Sequence, residues 1–303
     1  EHDALLALYE DVARASGDPA MVLDFLERRA ARPGATLEHV REGVERADAI
    51  EAPERAESLL AQGLVIARES EGGLRDAIWV PIGLAERRQA AGDVPNAIAH
   101  MRSAAEVADG DQALELWMKV ADLASQDGGD LHLAASTYRE LLGSDPGNRA
   151  LWEPLAGVFA KLEDRDGLEE VVATTLDALL DPSDRNELRM FYAAFLLDVE
   201  KAQDEAVVIL TNVLDEDPDH VEAAQRLADI FQSTGDDERL VDLLHRQLDR
   251  ARDRQDVENI VELSLRMGKL LEGHDPSGAV DLYRGGLDWA PQSAPLLTAL
   301  LAH

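Results

Sequence analysis

Three stretches of the chain repeat one pattern. Residues 134–146 read AASTYRELLGSDP, residues 206–218 read AVVILTNVLDEDP, and residues 279–291 read AVDLYRGGLDWAP. Each begins with alanine, has leucine or tyrosine four positions later, and ends with proline twelve positions after the alanine. Residues spaced in this way share one face of a helix, and a proline cannot continue that helix. The pattern therefore predicts a helix that recurs along the chain and stops each time at the same point.

A second helical pattern precedes these stretches. Its four positions have offsets of 0, 3, 4 and 7, and the sets that start at 117, 152, 190 and 224 follow one another in steps of 35, 38 and 34 residues. The small position of the second helix and the apolar position four residues later can be followed through the whole chain: Val22 and Leu26, Ala56 and Leu60, Ala97 and Met101, Ala134 and Tyr138, Leu168 and Val172, Ala206 and Leu210, Leu240 and Leu244, Ala279 and Tyr283. This register predicts eight antiparallel helix pairs and one further helix after Pro291.

Turn signals separate the two helices of a pair. The segments are SGDP at 16–19, AGDVPN at 91–96, QDGGD at 126–130 and STGDD at 233–237. Glycine is favoured just after a helix, and aspartate is favoured as the cap of the next one. We therefore expect each segment to end a first helix and to start a second helix.

The whole arrangement resembles the tetratricopeptide repeat, with its W-x2-L-G-x2-Y first helix, alanine-led second helix and closing proline. Residues from about Trp79 to Pro291 carry the resemblance well, whereas the first two pairs depart from it, with Tyr9 and Gly43 standing where leucine is expected. The resemblance implies an all-α fold, an α-α superhelix (a TPR-like solenoid) of about eight antiparallel helix pairs, in which neighbouring pairs share one continuous core.

The resemblance also sets expected domain limits. Residues 1–70 are predicted to hold degenerate helix-pair repeats, residues 71–292 the TPR-like repeats, and residues 293–303 the first helix of a truncated further repeat. Both ends of the sequence are interpreted as cut from something longer, because Glu1 is no initiator methionine and helical periodicity begins almost at once. Exposed terminal repeats would then allow self-association.

Composition narrows the function classes. The chain has 303 residues with 61 acidic against 29 basic side chains, a formal net charge of -32, and no cysteine. A surface so negative repels phosphate backbones, which argues against nucleic acid as a partner. No apolar run is long enough for a membrane span, and no secretion signal is recognised. The compartment is left open, with the cytoplasm slightly favoured.

Motifs for cofactors and metals are not found in the sequence. There is no phosphate-binding glycine loop, no nucleophile elbow, and no close pair among the eight histidines. The acidic run at 215–220 imitates the start of a calcium loop, but His220 stands where the turn glycine is needed and Arg226 where the closing glutamate belongs. We therefore expect an inter-repeat turn there, no cofactor, no metal site and no catalytic residue.

In the tetratricopeptide family a concave groove is lined by first-helix residues one turn apart. Carried over to this sequence, the predicted partner-binding positions are Trp79, Ile82, Glu86, Met118, Asp122, Leu188, Phe191, Phe195, Asp198, Gln225 and Asp229, accompanied by Gln126, Glu153, Lys161 and Gln232. Some members clamp a terminal carboxylate with Lys and Asn at such places, but the matching positions here are Met, Asp, Glu, Phe and Gln, so no such clamp is predicted.

An apolar ledge of Leu188, Phe191 and Phe195 beside carboxylates would suit an apolar segment with basic flanks. The alternative places Phe191 and Phe195 in the core, because the helix around them is apolar nearly all round. The favoured function is a non-catalytic interaction scaffold for a protein or peptide partner.

Other functions stay open at this point. They are an all-α enzyme, such as a helical toroid that hydrolyses glycosides with two carboxylates, an interaction domain of a larger enzyme or regulatory protein, and a helical-repeat RNA binder. The first would need paired acids of raised pKa in a deep pocket, and the last would need clustered basic residues.

Overall fold

The computed structural model describes residues 2–303, and within them the secondary structure consists of helices without any strand. The helices are α1 (His2–Ser16), α2 (Pro19–Ala30), α3 (Leu37–Ala49), α4 (Pro53–Glu69), α5 (Gly73–Asp76), α6 (Trp79–Ala90), α7 (Val94–Ala105), α8 (Gly110–Ala124), α9 (Leu131–Leu142), α10 (Arg149–Leu162), α11 (Arg165–Ala178), α12 (Pro182–Asp198), α13 (Gln203–Glu216), α14 (Val221–Thr234), α15 (Asp237–Asp253), α16 (Val257–Leu271), α17 (Pro276–Trp289) and α18 (Ala294–Leu301). The predicted all-α fold class is confirmed.

Eight pairs of helices organise the chain. Each first helix packs against the second helix that follows it after a short turn, as in α6 with α7, α12 with α13, and α16 with α17. Short connections make the two helices of a pair antiparallel neighbours. The remaining two helices are α18, which packs on α17, and the four-residue α5, which the apolar pattern does not predict.

The predicted register of the second helices is confirmed by burial. All eight small positions and all eight positions four residues later are buried, from Val22 and Leu26 to Ala279 and Tyr283. Their exposed fractions do not exceed 6%, because a small residue lets the partner helix approach while the larger residue fills the space beside it. The positions that repeat in the sequence are therefore the positions that form the hydrophobic core, and we call this common register the repeat frame.

The turns between paired helices form as their sequences predict. Gly92 and Gly235 adopt φ values of 77° and 70°, the left-handed conformation that glycine accommodates without strain. Asp93 and Asp236 then accept hydrogen bonds from the first backbone N–H groups of α7 and α15. Eight of the described helices have such an aspartate cap, at Asp18, Asp93, Asp130, Asp164, Asp181, Asp236, Asp256 and Asp275.

The chain divides into two compact units. Unit 1 ends at Ala178 and contains α1 to α11, and unit 2 is Leu179–His303 with α12 to α18. Within each unit, the second helix of one pair packs on the first helix of the next, as α7 does on α8 and α15 on α16. Each unit thus shows the stacked helix pairs of an α-solenoid. The repeat boundaries at residues 70 and 292 remain predictions about sequence similarity.

Candidate functional site

The predicted partner-binding residues of unit 1 lie on α6 and α8. Glu86 and Asp122 are exposed, whereas Trp79, Ile82 and Met118 are partly buried. The guanidinium of Arg41 lies 4.9 Å from the centre of the Trp79 ring, and Trp79 also packs against the core of α3 and α4. Only part of the Trp79 ring is therefore exposed. The apolar surface at the predicted positions of α6 and α8 comes from three partly buried side chains, Trp79, Ile82 and Met118.

Polar contacts join successive first helices of unit 1. A guanidinium of α1, Arg14, binds Glu42 of α3 at 2.9 Å, and Arg87 of α6 binds Asp48 of α3 at 2.7 Å. Further along, Gln89 of α6 donates to Gln126 at 3.4 Å. The Nζ of Lys161 on α10 donates to the carbonyl of Ser125, just after α8, at 3.1 Å. First helices thus lie side by side, and two of the residues assigned to the surface, Gln126 and Lys161, hold neighbours together.

Asp122 has a defined partner behind it. The hydroxyl of Tyr138, a buried residue of α9, donates a hydrogen bond to the Asp122 carboxylate. Burial and this hydrogen bond raise the pKa of Tyr138, because both favour the neutral phenol. The bond fixes the orientation of Asp122 while leaving the residue exposed to solvent.

In unit 2 the predicted apolar ledge is wrong for two of its three members. Leu188 is fully buried and Phe195 is 4% exposed, so neither is available to a partner, and only Phe191 is partly exposed. Apolar residues surround most of α12, so the periodicity does not reveal which face turns inward. The core alternative is correct for Phe195, and Leu188 is buried as well. Asp198 is exposed at the end of this helix.

Gln225 and Asp229 of α14 are exposed and bound to each other. The amide Nε2 of Gln225 donates to Oδ1 of Asp229 at 2.7 Å, across one helical turn. Asp229 keeps its charge facing solvent. Gln225 also lines a cavity that the sequence patterns do not predict.

This cavity, which we call the α14–α16 cavity, has a volume of about 180 Å³. Its walls are residues of α14, the second half of α15, and α16, closed at one end by the turn at 218–220. Ala224 and Ala228 of α14 and Ala251 of α15 form its small-residue side. Ala224 is the first residue of the four-position pattern of its helix, where unit 1 has Trp117 and Trp152. The cavity therefore lies beside a position at which this repeat lacks a large side chain.

Charged side chains give the α14–α16 cavity its character. Three arginines line it, Arg250, Arg254 and Arg266, together with the carboxylates of Asp219 and Glu262. Arg254 binds Asp219 at 2.8 Å, and Arg250 donates to the carbonyl of Pro218. Arg266 is partly buried and makes no hydrogen bond or ion pair within residues 2–303. A positively charged cavity thus lies in a strongly negative chain.

Neither a metal centre nor a bilayer span is found among the described residues. No three His, Asp or Glu side chains there form a group that could hold a metal ion. Among the helices described, none has both the length and the apolar composition that a bilayer span requires. The acidic run at 215–220 contains the turn between α13 and α14, with Asp219 engaged by Arg254.

The terminal helices carry the exposed apolar residues on which self-association was predicted. On α1, Leu5 and Leu8 are 65% and 60% exposed, and on α18 Leu301 is 87% exposed. Nothing in the structure covers these side chains among residues 2–303, and self-association stays a prediction.

Comparison with known proteins identifies the repeat. The tetratricopeptide repeat family matches residues 223–258, the segment of α14 and α15 that lines the cavity. No curated protein matches the sequence.

Solved structures resemble the chain in fold. A chain in the structure of Naa15/Naa10 bound to HypK-THB has a TM-score of 0.58 and 15% identity over 98% of this chain and 44% of that one. The present chain therefore spans less than half the length of that protein. A tetratricopeptide repeat protein from Parabacteroides merdae has a TM-score of 0.41 and 14% identity, covering 87% of this chain and 96% of that one. The C-terminal part of a TPR repeat-containing protein from Cytophaga hutchinsonii has a TM-score of 0.44 and 12% identity, covering 88% and 99%.

The repeat recognised at 223–258 has its buried positions, Leu240 and Leu244, in the same frame as every other helix pair of the chain. The resemblance to the tetratricopeptide repeat family is therefore confirmed, and the chain is an all-α protein built from TPR-like helix pairs.

Proposed function

We propose that the protein is a non-catalytic interaction scaffold, and that the first helices of unit 1 hold an apolar, basic segment of a partner protein. The TPR-like fold itself suggests a role in protein interaction. The finer assignment is supported by one observation on α6 and α8. Exposed carboxylates, Glu86 and Asp122, alternate there with partly buried apolar side chains such as Ile82 and Met118.

The negative charges on this surface favour a partner segment with positive charge. Lysine or arginine side chains of a bound segment would meet Glu86, Asp122 and the nearby Glu153, all exposed, while apolar side chains would cover Ile82 and Met118. Complementary charge of this kind raises association rates and rejects partners of the wrong sign. In unit 2, the exposed Asp198 and Asp229 would favour the same class of segment.

Carboxylate chemistry also bears on the enzyme alternative. A glycoside hydrolase needs a carboxylic acid whose pKa is raised so that it stays protonated. Several described carboxylates have a lowered pKa, as in Glu42 beside Arg14 and Glu216 beside Arg185. Downward shifts of this kind are typical of ion pairs that stabilise a fold. This supports a scaffold in preference to an acid–base enzyme.

The binding test uses peptides of defined chemistry. A short fluorescent peptide that alternates leucine with lysine, blocked at both ends, is titrated with the full chain and followed by anisotropy. We expect saturable binding that weakens as salt increases, because exposed charges are screened. A peptide that alternates leucine with glutamate and one that alternates serine with lysine should bind at least tenfold more weakly. Equal affinity for all three peptides would contradict the proposal.

Two charge-neutralising variants locate the surface. Glu86→Gln with Asp122→Asn should weaken the leucine–lysine peptide about threefold to tenfold, as expected for charges at the rim of an interface. The matched control is Glu140→Gln with Asp177→Asn, which removes the same charge from exposed positions on the second helices α9 and α11. An equal loss in both double variants would mean that net charge, and no particular surface, attracts the peptide.

A further inference from the structure

The α14–α16 cavity has the features of a built binding site for an anion. It is a cavity of about 180 Å³ with three arginines on its walls, in a chain whose net charge is -32. We propose that it binds the carboxylate of one Asp or Glu side chain of a partner protein, held by Arg266 with support from Arg250 and Arg254. This inference rests on the proposed scaffold function, since it adds a specific anchor point in unit 2 to a protein that binds other proteins.

The space for such a side chain comes from the repeat itself. Frame positions that hold Trp117 and Trp152 in unit 1 are occupied in α14 by Ala224, and Ala228 and Ala251 extend the small-residue wall. The alanine leaves the space unfilled, and the cavity is open to solvent beside the exposed Gln225. The walls include Leu263, which gives the methylene groups of a bound side chain an apolar contact.

Arg266 supplies the free donor. The other two cavity arginines are already engaged, Arg254 with Asp219 and Arg250 with the carbonyl of Pro218. Arg266 is partly buried on α16 and forms neither a hydrogen bond nor an ion pair with any described residue. A guanidinium presents a planar fork of N–H donors that matches a carboxylate, and partial burial strengthens such a bond by excluding water.

The balance of charges limits the ligand to a single negative charge. The ionised groups that line the cavity are three arginines against Asp219 and Glu262, a surplus of one positive charge. His220 also lines it, and its ring nitrogen caps α14 by accepting from the N–H of Ala223. A phosphate would bring nearly two negative charges into a cavity that neutralises only one, inside a negative protein. A carboxylate fits this balance.

The test uses single blocked amino acids as probes, so that it does not depend on the leucine–lysine peptide. N-acetyl-L-glutamate amide is titrated into the isotope-labelled full chain, and the backbone amide signals of Gln225 and Leu263, both on the cavity wall, are followed by NMR. We expect saturable shifts with this probe and at least a tenfold weaker effect with N-acetyl-L-glutamine amide, which has the same shape without the charge.

Two variants of different kinds address the cavity. Arg266→Gln removes the free donor, and Ala224→Trp restores the side chain that unit 1 has at the same frame position, which fills the cavity without changing a charge. Each should weaken binding of the glutamate probe at least tenfold. The matched control is Arg284→Gln on α17, an equal loss of charge at an arginine whose side chain is 68% exposed, and it should stay within twofold of the unaltered chain.

Several results would overturn the proposal. These are the absence of saturable shifts, equal binding of the glutamine probe, and unchanged binding in Arg266→Gln. Tighter binding of N-acetyl-O-phospho-L-serine amide would reject the single-charge argument, and tighter binding of N-acetylglycine would assign the cavity to a chain terminus instead of a side chain. Should Ala224→Trp fail to fold, the Arg266→Gln result still decides the matter. A negative result here leaves the surface of α6 and α8 to be judged by its own peptide test.

Discussion

α10 of unit 1 and α14 of unit 2 have the same place in their repeats and differ at one residue of the frame. Trp152 of α10 is 3% exposed and fills the space beside its helix, whereas Ala224 of α14 is 4% exposed and lines a cavity of about 180 Å³. Both residues are buried and both helices keep the common register. The comparison shows that the repeat frame fixes where helices pack, while the side chain at one position decides whether the space between them is closed or open.

The largest expected effect concerns α10, where Trp152 fills the space that is open beside α14. Trp152→Ala removes a buried indole from unit 1 and should lower the free energy of unfolding by ~3–5 kcal/mol, because the surrounding helices cannot collapse fully into the cavity. Urea denaturation measures the change. Trp289→Ala, at a tryptophan that is 37% exposed, is the control and should cost much less. A cost below ~1 kcal/mol for Trp152→Ala would mean that the tryptophan does not close this space.

A second prediction concerns tight packing in unit 2, outside its cavity. A Cβ atom added at Gly268 of α16 would lie 2.1 Å from Cε1 of Tyr283, so Gly268→Ala should destabilise the chain by ~1–3 kcal/mol. No atom of a neighbouring residue lies within 4 Å of a Cβ added at Gly157 of α10. Gly157→Ala should therefore stabilise the chain by ~0.5–1 kcal/mol, because alanine has the better helix propensity. Thermal or urea unfolding of both variants gives the two signs. Destabilisation of similar size in both would refute the packing argument.

A third prediction compares two tyrosines in the same frame position. Tyr138 of unit 1 donates to Asp122, and Tyr283 of unit 2 donates to Glu272 at 2.8 Å. Tyr138→Phe should cost ~1 kcal/mol in urea denaturation at neutral pH, the usual net value of one hydrogen bond. No change in the unfolding free energy would show that this hydrogen bond contributes nothing to the fold.

For Tyr283, the corresponding tyrosine of unit 2, the contribution to stability should depend on pH. Burial and the bond to Glu272 raise the pKa of Tyr283 from 10.0 to about 12. The neutral phenol is the form that the fold favours, so its contribution is complete below pH 10 and is lost as pH rises toward 12. The difference in melting temperature between the unaltered chain and Tyr283→Phe should therefore shrink over this interval. A difference that stays constant would contradict the shifted pKa.

The smallest expected effect concerns acid. Hydrogen bonds from Arg185 and Arg189 lower the pKa of Glu216 below its ordinary value of 4.5, and the bond from Arg14 lowers that of Glu42 in unit 1. Since the folded pKa is depressed, each contribution is present above pH 4.5 and is lost as pH falls through the lower folded value. Glu216→Gln and Glu42→Gln should each melt below the unaltered chain at pH 7, with the gap closing below pH 4.5. A gap that widens with acid would reverse the sign of the argument.

Sequence reasoning predicts the helices well because their signals are local. The small position at Ala134 or Ala206, the apolar residue four positions on, and an aspartate such as Asp130 at the helix start are all properties of short segments. The helix pairs and their buried register follow from such signals. The four-residue α5 has no periodicity to find, and it appears only in the structure.

Site residues depend on what surrounds a helix, and here the sequence says less. Leu188 and Phe195 belong to a helix that is apolar nearly all round, so their burial depends on neighbours that the local pattern does not reveal. The arginines of the α14–α16 cavity come from α15, the residue just after it, and α16, and each looks ordinary in its own segment. One available signal is the alanine at position 224, where the repeats of α8 and α10 have Trp117 and Trp152.

The aspartate caps have a consequence for how the acidity of this protein is understood. Eight aspartates, among them Asp93, Asp130 and Asp236, start helices by accepting backbone hydrogen bonds, and their negative charge also suits the positive end of each helix dipole. Part of the chain's negative charge is therefore committed to beginning helices. Replacing aspartates at random to make the protein neutral would therefore destabilise helix ends as well as change the charge that a partner meets. Charge redesign should begin with glutamates in the middle of helices.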